Sequence, residues 1–216
     1  MVTMRFTGRD PGVVAVGEGL AARLQHLHGE DLVVLGLPRG GVPVAARVAE
    51  ALGAPLDVVV VRKLGVPWHP ELAMGAVGEG GALVLNRSLV ERLGVSDREV
   101  LLAESRARAE LEERVRRLRQ GRDPLDLEGR AAVVVDDGIA TGATAQVACE
   151  VARHLGARRV VMAAPVGPPD VLPEVGGADE VVLLETPEPF VAVGRHYRDF
   201  APTTDEEVAA LLAEAS

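Results

Sequence analysis

Apolar positions along the chain follow two rhythms, and the order in which they alternate predicts the architecture. Val13, Val16, Leu20, Leu24 and Leu27 recur at three- and four-residue spacing, the signature of an amphipathic helix. Continuous apolar runs then alternate with further helical patterns: a strand over 32–37, a helix over 42–52 closed by Gly53, and a strand over 56–61. A Gly- and Pro-rich loop over 65–70 follows, after which 72–77 and 82–85 flank Gly78, Gly80 and Gly81 like the arms of a hairpin. Ser96 and Glu99 form a capping-box pair that opens a long helix running to about 119, where Gly121 and Pro124 stop it. The alternation resumes with a strand over 131–135, a helix over 144–155, a strand over 159–164, a short helix near 169–175 and a strand over 180–184. Such a series predicts an α/β fold, a doubly wound, mostly parallel sheet covered on both faces, with ligands beyond the carboxyl ends of its strands.

Composition narrows the function. A chain of 216 residues that is 48% hydrophobic is sized for one domain, and no repeat or linker divides residues 1–216. No apolar run approaches the roughly 20 residues of a membrane helix. The opening MVTMRFTGRD lacks the apolar centre of a secretory signal, so a cytoplasmic protein with no membrane partner is expected. The single cysteine, Cys149, allows no intrachain disulfide and fits a reducing compartment. A net charge of -9 argues against nucleic acid as a partner and toward a small anionic metabolite held in a local basic pocket. Among 23 Lys and Arg residues, Lys63 is the one lysine, which singles out its position. The mixed charges of the long helix read as a solvated face of ion pairs. Its apolar stripe, Val100, Ala107, Leu111, Val115 and Leu118, is available to a second subunit, as in a homodimer.

The densest chemistry lies in AVVVDDGIATGAT, residues 132–144. A buried strand there delivers two adjacent carboxylates, Asp136 and Asp137, suited to accept hydrogen bonds from vicinal ribose hydroxyls or to hold a divalent cation through water. Ala140, Thr141, Gly142, Ala143 and Thr144 then offer backbone amides without bulk, two hydroxyls and a helix N-terminus, a cradle for a phosphate dianion. The stretch resembles the phosphoribosyl pyrophosphate (PRPP) signature of type I phosphoribosyltransferases, except that Gly138 stands where the family has an aliphatic residue.

The resemblance extends to other segments. GLPRGGVPVA, 36–45, is similar to the family's pyrophosphate loop, in which Arg39, Gly40 and Gly41 would contact pyrophosphate and a non-proline cis peptide is common. Arg62 and Lys63, read at the end of the second strand, lead into a segment matching the family's mobile flap, with basic groups for the leaving pyrophosphate. Trp68 reads as a packing anchor of that flap. The family also implies a hood, formed here by the amino-terminal part and about 185–216, with 96–120 as a helical insertion. Phe190 would stack on a nucleobase, with Tyr197 as the fallback, and the acidic tail from Asp205 reads as a surface helix.

These matches imply transfer of the phosphoribosyl group to a nitrogenous base or amine, with Mg2+ bound indirectly by the acid pair and with Lys63, Arg39 and Asp137 as catalytic groups. Hypoxanthine-guanine enzymes carry an Asp four places after the first acid, where this chain has Ala140, which argues against that acceptor class. A PRPP sensor without turnover and a hydrolase using water as acceptor are the rival readings. Gly17, Gly19 and Ala22 spell a dinucleotide-like pattern, but no strand precedes it. His26, His28 and His154 sit near helix ends and read as solvated.

Overall fold

The computed structural model describes residues 11–169, 175–197 and 202–215. The amino-terminal decapeptide and most of the short helix expected near 169–175 lie outside the described residues. In chain order, α1 (Pro11–Arg23) precedes a βαβ unit of β1 (Leu32–Gly36), α2 (Gly41–Leu52) and β2 (Leu56–Val58). Three antiparallel strands follow, β3 (Val61–Val66), β4 (His69–Gly78) and β5 (Leu83–Leu85), then helices α3 (Arg87–Leu93) and α4 (Asp97–Arg119). β6 (Ala131–Val135), α5 (Ala143–His154), β7 (Arg159–Val166), β8 (Glu180–Glu185) and α6 (Asp205–Glu214) complete it.

The main sheet has the order β2-β1-β6-β7-β8, with every pairing parallel. The expected doubly wound α/β architecture is therefore present. Alternation within each strand sends Val34, Val133, Val135 and Val161 to one face, packed with α1, α2, α4 and α6. Val33, Leu35, Val134 and Met162 face the other side, packed with α5. From β1 the chain winds outward to β2, and from β6 it winds the opposite way through β7 and β8. The order reverses between β1 and β6, so a crevice opens beyond their carboxyl ends.

Two sequence readings between these halves need correction. The strand expected over 56–61 stops at Val58, and Arg62 and Lys63 lie near the start of β3 in a separate sheet of order β3-β4-β5. The expected loop over 65–70 is instead the tip of the β3–β4 hairpin, pairing Val66 with His69. Gly and Pro marked a turn there, but the turn is two residues long and its flanks are strand. Trp68, expected as a packing anchor, is 58% exposed at that tip.

The long helix forms as expected: the Ser96 hydroxyl accepts from the Glu99 amide at 3.3 Å, and the Ser96 amide donates to Glu99 at 2.9 Å. Its stripe, however, is not left for a second subunit. Val100, Ala107, Leu111 and Leu118 are buried in the same core as Leu64, Met74 and Val77 of the antiparallel sheet, while Leu101 and Leu102 are exposed. Nor is α6 a purely surface helix, because Val208 and Leu212 are buried against this core. Helix α3, with Asn86 accepting from the Leu89 amide as its cap, has too short an apolar pattern to be read from sequence.

Arg119, at the end of α4, ties the two sheets together. Its Nη1 donates to both Asp57 oxygens at 2.7 Å, and its Nη2 donates to Glu79 at 2.9 Å and to the Val58 carbonyl at 3.1 Å. Burial holds the Glu79 carboxyl above its ordinary range despite the arginine beside it. Removing one partner of such a buried set leaves charge without compensation. Arg119→Met is accordingly expected to lower the unfolding free energy by about 3 kcal/mol, read as a shift of the urea midpoint, with Asp57 and Glu79 both stranded.

Candidate active site

Every side chain of β6 is buried, so the strand's end is a fixed point from which the acid pair is presented. The Asp136 amide still donates to the Ala163 carbonyl at 3.1 Å, and the Ile139 amide to Val166 at 2.8 Å. Between these anchors the Asp137 amide donates to its neighbour's carboxylate, Asp136 Oδ1, at 2.9 Å. The chain then runs through an open turn, where Ala140 and Thr141 are exposed, to Gly142, whose φ of 74° caps α5. No described residue accepts a hydrogen bond from the amides of Ala140 to Thr144. Unpaired donors at a helix N-terminus form an anion receptor.

The turn after β1 meets this loop directly. The Leu37 amide donates to the Val135 carbonyl at 2.8 Å, and the Pro38–Arg39 peptide is cis. A Cβ on Gly40 would lie 1.8 Å from Asp137 Oδ2, and one on Gly41 would lie 2.4 Å from the Val135 carbonyl. A side chain at Gly41 would drive the two loops apart, and one at Gly40 would displace the Asp137 carboxylate. The expected pyrophosphate loop and the acid pair therefore form one surface, although they lie far apart along the chain.

Asp136 and Thr144 line a cleft of about 830 Å³ with Pro38, Arg62, Lys63 and Arg114. Its walls are the β3–β4 hairpin and α4. Lys63 is exposed and enters no ion pair among the described residues, whereas Arg62 pairs with Glu110 of α4. Arg39 is directed elsewhere: its guanidinium lies 3.7 Å from Asp205 of α6, in a neighbouring cavity. Phe190 is outside the cleft and half-buried, stacked on the His196 ring at 5.5 Å between centroids. Tyr197 is buried, and its hydroxyl donates to the Asp137 carbonyl at 2.5 Å, steadying the acid loop. Burial and the two aspartates push the Tyr197 phenol up, which keeps it a donor.

With this geometry in place, likeness to known proteins gains meaning. No family model matches the chain. TT1426 from Thermus thermophilus, a solved structure, is 46% identical and superposes with a TM-score of 0.85, covering 99% of this chain and 100% of its own. Rv0571c of Mycobacterium tuberculosis strain H37Rv, provisionally named a phosphoribosyl transferase, is 56% identical over 200 residues, 92% of this chain. Over nearly all its length the chain is similar to proteins that carry the phosphoribosyl transferase name. The counterpart of Rv0571c in strain CDC 1551 matches equally, and the chain spans 45% of the length of both curated relatives.

Where this chain departs from the signature, at Gly138, the structure supplies a reason. A Cβ there would lie 2.5 Å from Val193 Cγ1 and 2.8 Å from Cγ2, so the segment carrying Val193 fills the space an aliphatic side chain would take. Ordinary packing and hydrogen bonding account for the dinucleotide-like glycine pattern, two of the histidines and the cysteine. Gly17 lets α1 lie against Arg47 of α2, with a Cβ there 2.3 Å from Arg47 Cβ. His26 bonds Glu180 at 3.1 Å, His154 bonds the Gly80 carbonyl at 3.3 Å, and burial pushes the Cys149 thiol up to about 12. Sequence reasoning missed Arg114, which reads as one more charge on a solvated helix face; its position against the Pro38 carbonyl, at 3.3 Å, depends on how α4 docks.

Burial raises both carboxyls of the acid pair above the ordinary aspartate value of 3.8, and at Asp136 the charge of Asp137 adds to it. The folded chain therefore retains protons that the unfolded chain has released, and stability falls as pH rises from 3.8 toward the raised values. Asp136→Asn, which keeps an oxygen for the Asp137 amide, should flatten this decline. Its melting temperature should exceed wild type at about pH 8 and converge with it below about pH 4; a parallel decline in both proteins would refute the assignment. Gly138→Ala should cost about 1–3 kcal/mol through overpacking. Val193→Ala should restore much of that loss, and a double-mutant cycle in urea measures the coupling.

Proposed function

We propose that this chain binds PRPP in the cleft beyond β1 and β6 and transfers its phosphoribosyl group to a nitrogen acceptor, releasing pyrophosphate. One observation carries the reading. Asp136 of the acid pair, Thr144 at the tip of α5 and Leu37 and Pro38 of the turn after β1 line a single cleft, and Gly40 of that turn lies against Asp137. The provisional name of the mycobacterial relatives supports it.

In this reading the 5′-phosphate takes the free amides of Ala140 to Thr144, where the α5 dipole and the Thr141 and Thr144 hydroxyls favour a dianion. Asp136 and Asp137 accept from the ribose hydroxyls. Pyrophosphate lies along Gly40 and Gly41 with Lys63 and Arg62 beside it, and Arg39 reaches it by leaving Asp205. The bond from C1 to the pyrophosphate oxygen breaks, its electron pair leaves with pyrophosphate, and an acceptor nitrogen lone pair closes on C1 with loss of a proton. Catalysis is then positioning and charge stabilisation, with no covalent nucleophile.

Among the described residues no group of three or more His, Cys, Asp and Glu is placed to enclose a metal. Asp136 and Asp137 would hold Mg2+ through water. Magnesium would there neutralise pyrophosphate charge. Phe190 reaches a base only by leaving His196, and no described helix is long and apolar enough to cross a membrane. A cytoplasmic protein acting on small molecules rather than nucleic acid fits the acidic charge.

The test is a screen of purine, pyrimidine and amine acceptors with PRPP and magnesium, read as pyrophosphate release. Release should require one acceptor class and fall at least about hundredfold in Asp137→Asn. Tight PRPP binding with no release under any acceptor favours the sensor, and release indifferent to acceptor favours hydrolysis.

A further inference from the structure

Beside the cleft lies a second cavity of about 590 Å³, lined by four arginines: Arg39 of the turn after β1, Arg62 of β3, and Arg114 and Arg117 of α4. In a chain of net charge -9 such a concentration of guanidinium groups calls for compensation. The cavity's three carboxylates do not supply it. Glu113 is taken by Arg116, which does not line the cavity, and Glu110 by Arg62. Asp205 alone serves both Arg39 and Arg117, at 3.7 and 3.9 Å, longer than a hydrogen-bonded pair.

Arg114 has no carboxylate partner among the described residues, only the Pro38 carbonyl at 3.3 Å. Burial lowers its pKa, and Arg39, Arg62 and Arg117 lower it further while Asp205 offsets them, so these guanidiniums sense one another. Four guanidiniums face three lining carboxylates, one of them held by Arg116, which leaves the cavity with an excess of positive charge. Guanidinium forks arranged around one space suit the oxygens of a phosphate group.

We propose that this cavity is a second anion site, binding the phosphate group of a ligand other than PRPP, with Arg114 and Arg117 as its principal contacts and Arg39 and Arg62 at its border with the neighbouring cleft. The ligand is a phosphate ester or a free phosphate species. Because the cavity shares Arg62, Glu110 and Arg114 with the PRPP cleft, an anion in it sits within reach of the turn after β1. Arg39 and Arg62 are shared with the pyrophosphate of the proposed function, whereas Arg117 is not among the groups that reading uses, so the site rests on Arg114 and Arg117.

The experiment is calorimetric titration of inorganic phosphate at low ionic strength into the full chain, once alone and once saturated with PRPP. Phosphate should bind the PRPP-loaded protein, and Arg114→Gln with Arg117→Gln should weaken that binding at least about tenfold. Arg98→Gln, which removes one exposed charge at the far end of α4, should leave it unchanged. Equal affinity in wild type and the double variant overturns the proposal, as does an equal loss in Arg98→Gln, which would mark a nonspecific charge effect. If PRPP fails to bind but phosphate binds alone and depends on Arg114 and Arg117, the transferase reading fails and this one stands. Phosphate that competes with the acceptor found in the screen identifies the acceptor's own phosphate as the occupant. Phosphate that alters turnover without competing identifies a free effector.

Discussion

The structure depends on the contact between Gly40 and Asp137. Two strands running side by side deliver their following turns to the same edge of the sheet, where Gly41 lets the backbones approach and Gly40 leaves room for the Asp137 carboxylate. The anchoring is mutual. The Leu37 amide holds the first turn to the end of β6, and the Tyr197 hydroxyl holds the second from the segment that follows β8. A parallel sheet with this reversal of order makes a crevice wherever its sequence comes from; what makes this crevice specific is that its floor is a carboxylate and its rim is unpaired amide.

That arrangement sets the electrostatics. Two adjacent aspartates at the end of a fully buried strand are destabilised as anions, and among the described residues no salt bridge relieves them. The contrast with Asp57 is instructive. Asp57 is buried too, yet it receives two bonds from Arg119 and amides from Val58 and Leu125, which satisfy it for structure. Among the described residues Asp136 and Asp137 are bonded chiefly to one another and to the Asp137 amide, and a carboxylate pair so placed, with Asp136 on the cleft wall, suits a ligand rich in hydroxyls or a hydrated cation.

Much of this was legible in the chain. The βαβ rhythm pointed to the main sheet because strands buried on both faces must be written as uninterrupted apolar runs, as in Ala131–Val135. The acid pair and the small-residue turn were legible because their chemistry is local: amides, hydroxyls and a helix tip all come from consecutive residues. The β3–β4 hairpin was not, since Gly65, Pro67 and Pro70 carry the composition of a loop and only pairing across the turn reveals the strands. The roles of Arg39 and Arg114 were hidden for a different reason. Arg39 follows its loop motif, but its guanidinium is drawn to Asp205, a residue whose position depends on α6 docking through Val208 and Leu212.

Helix α4 explains why the site's second half escaped the sequence. Its apolar stripe is spent on the antiparallel sheet, which fixes the helix's rotation and so decides which of its many charges face inward. Arg119 is then carried into the core, Arg116 and Glu113 pair on the outside, and Arg114 and Arg117 face the turn after β1. Neighbouring arginines on a single helix thus have three different fates, and no property of the residue type distinguishes them. What distinguishes them is angle around the helix axis relative to the stripe. A charge pattern that reads as uniform solvation in one dimension is, once the stripe is seated, a structural cation, an external ion pair and a basic wall beside the cleft.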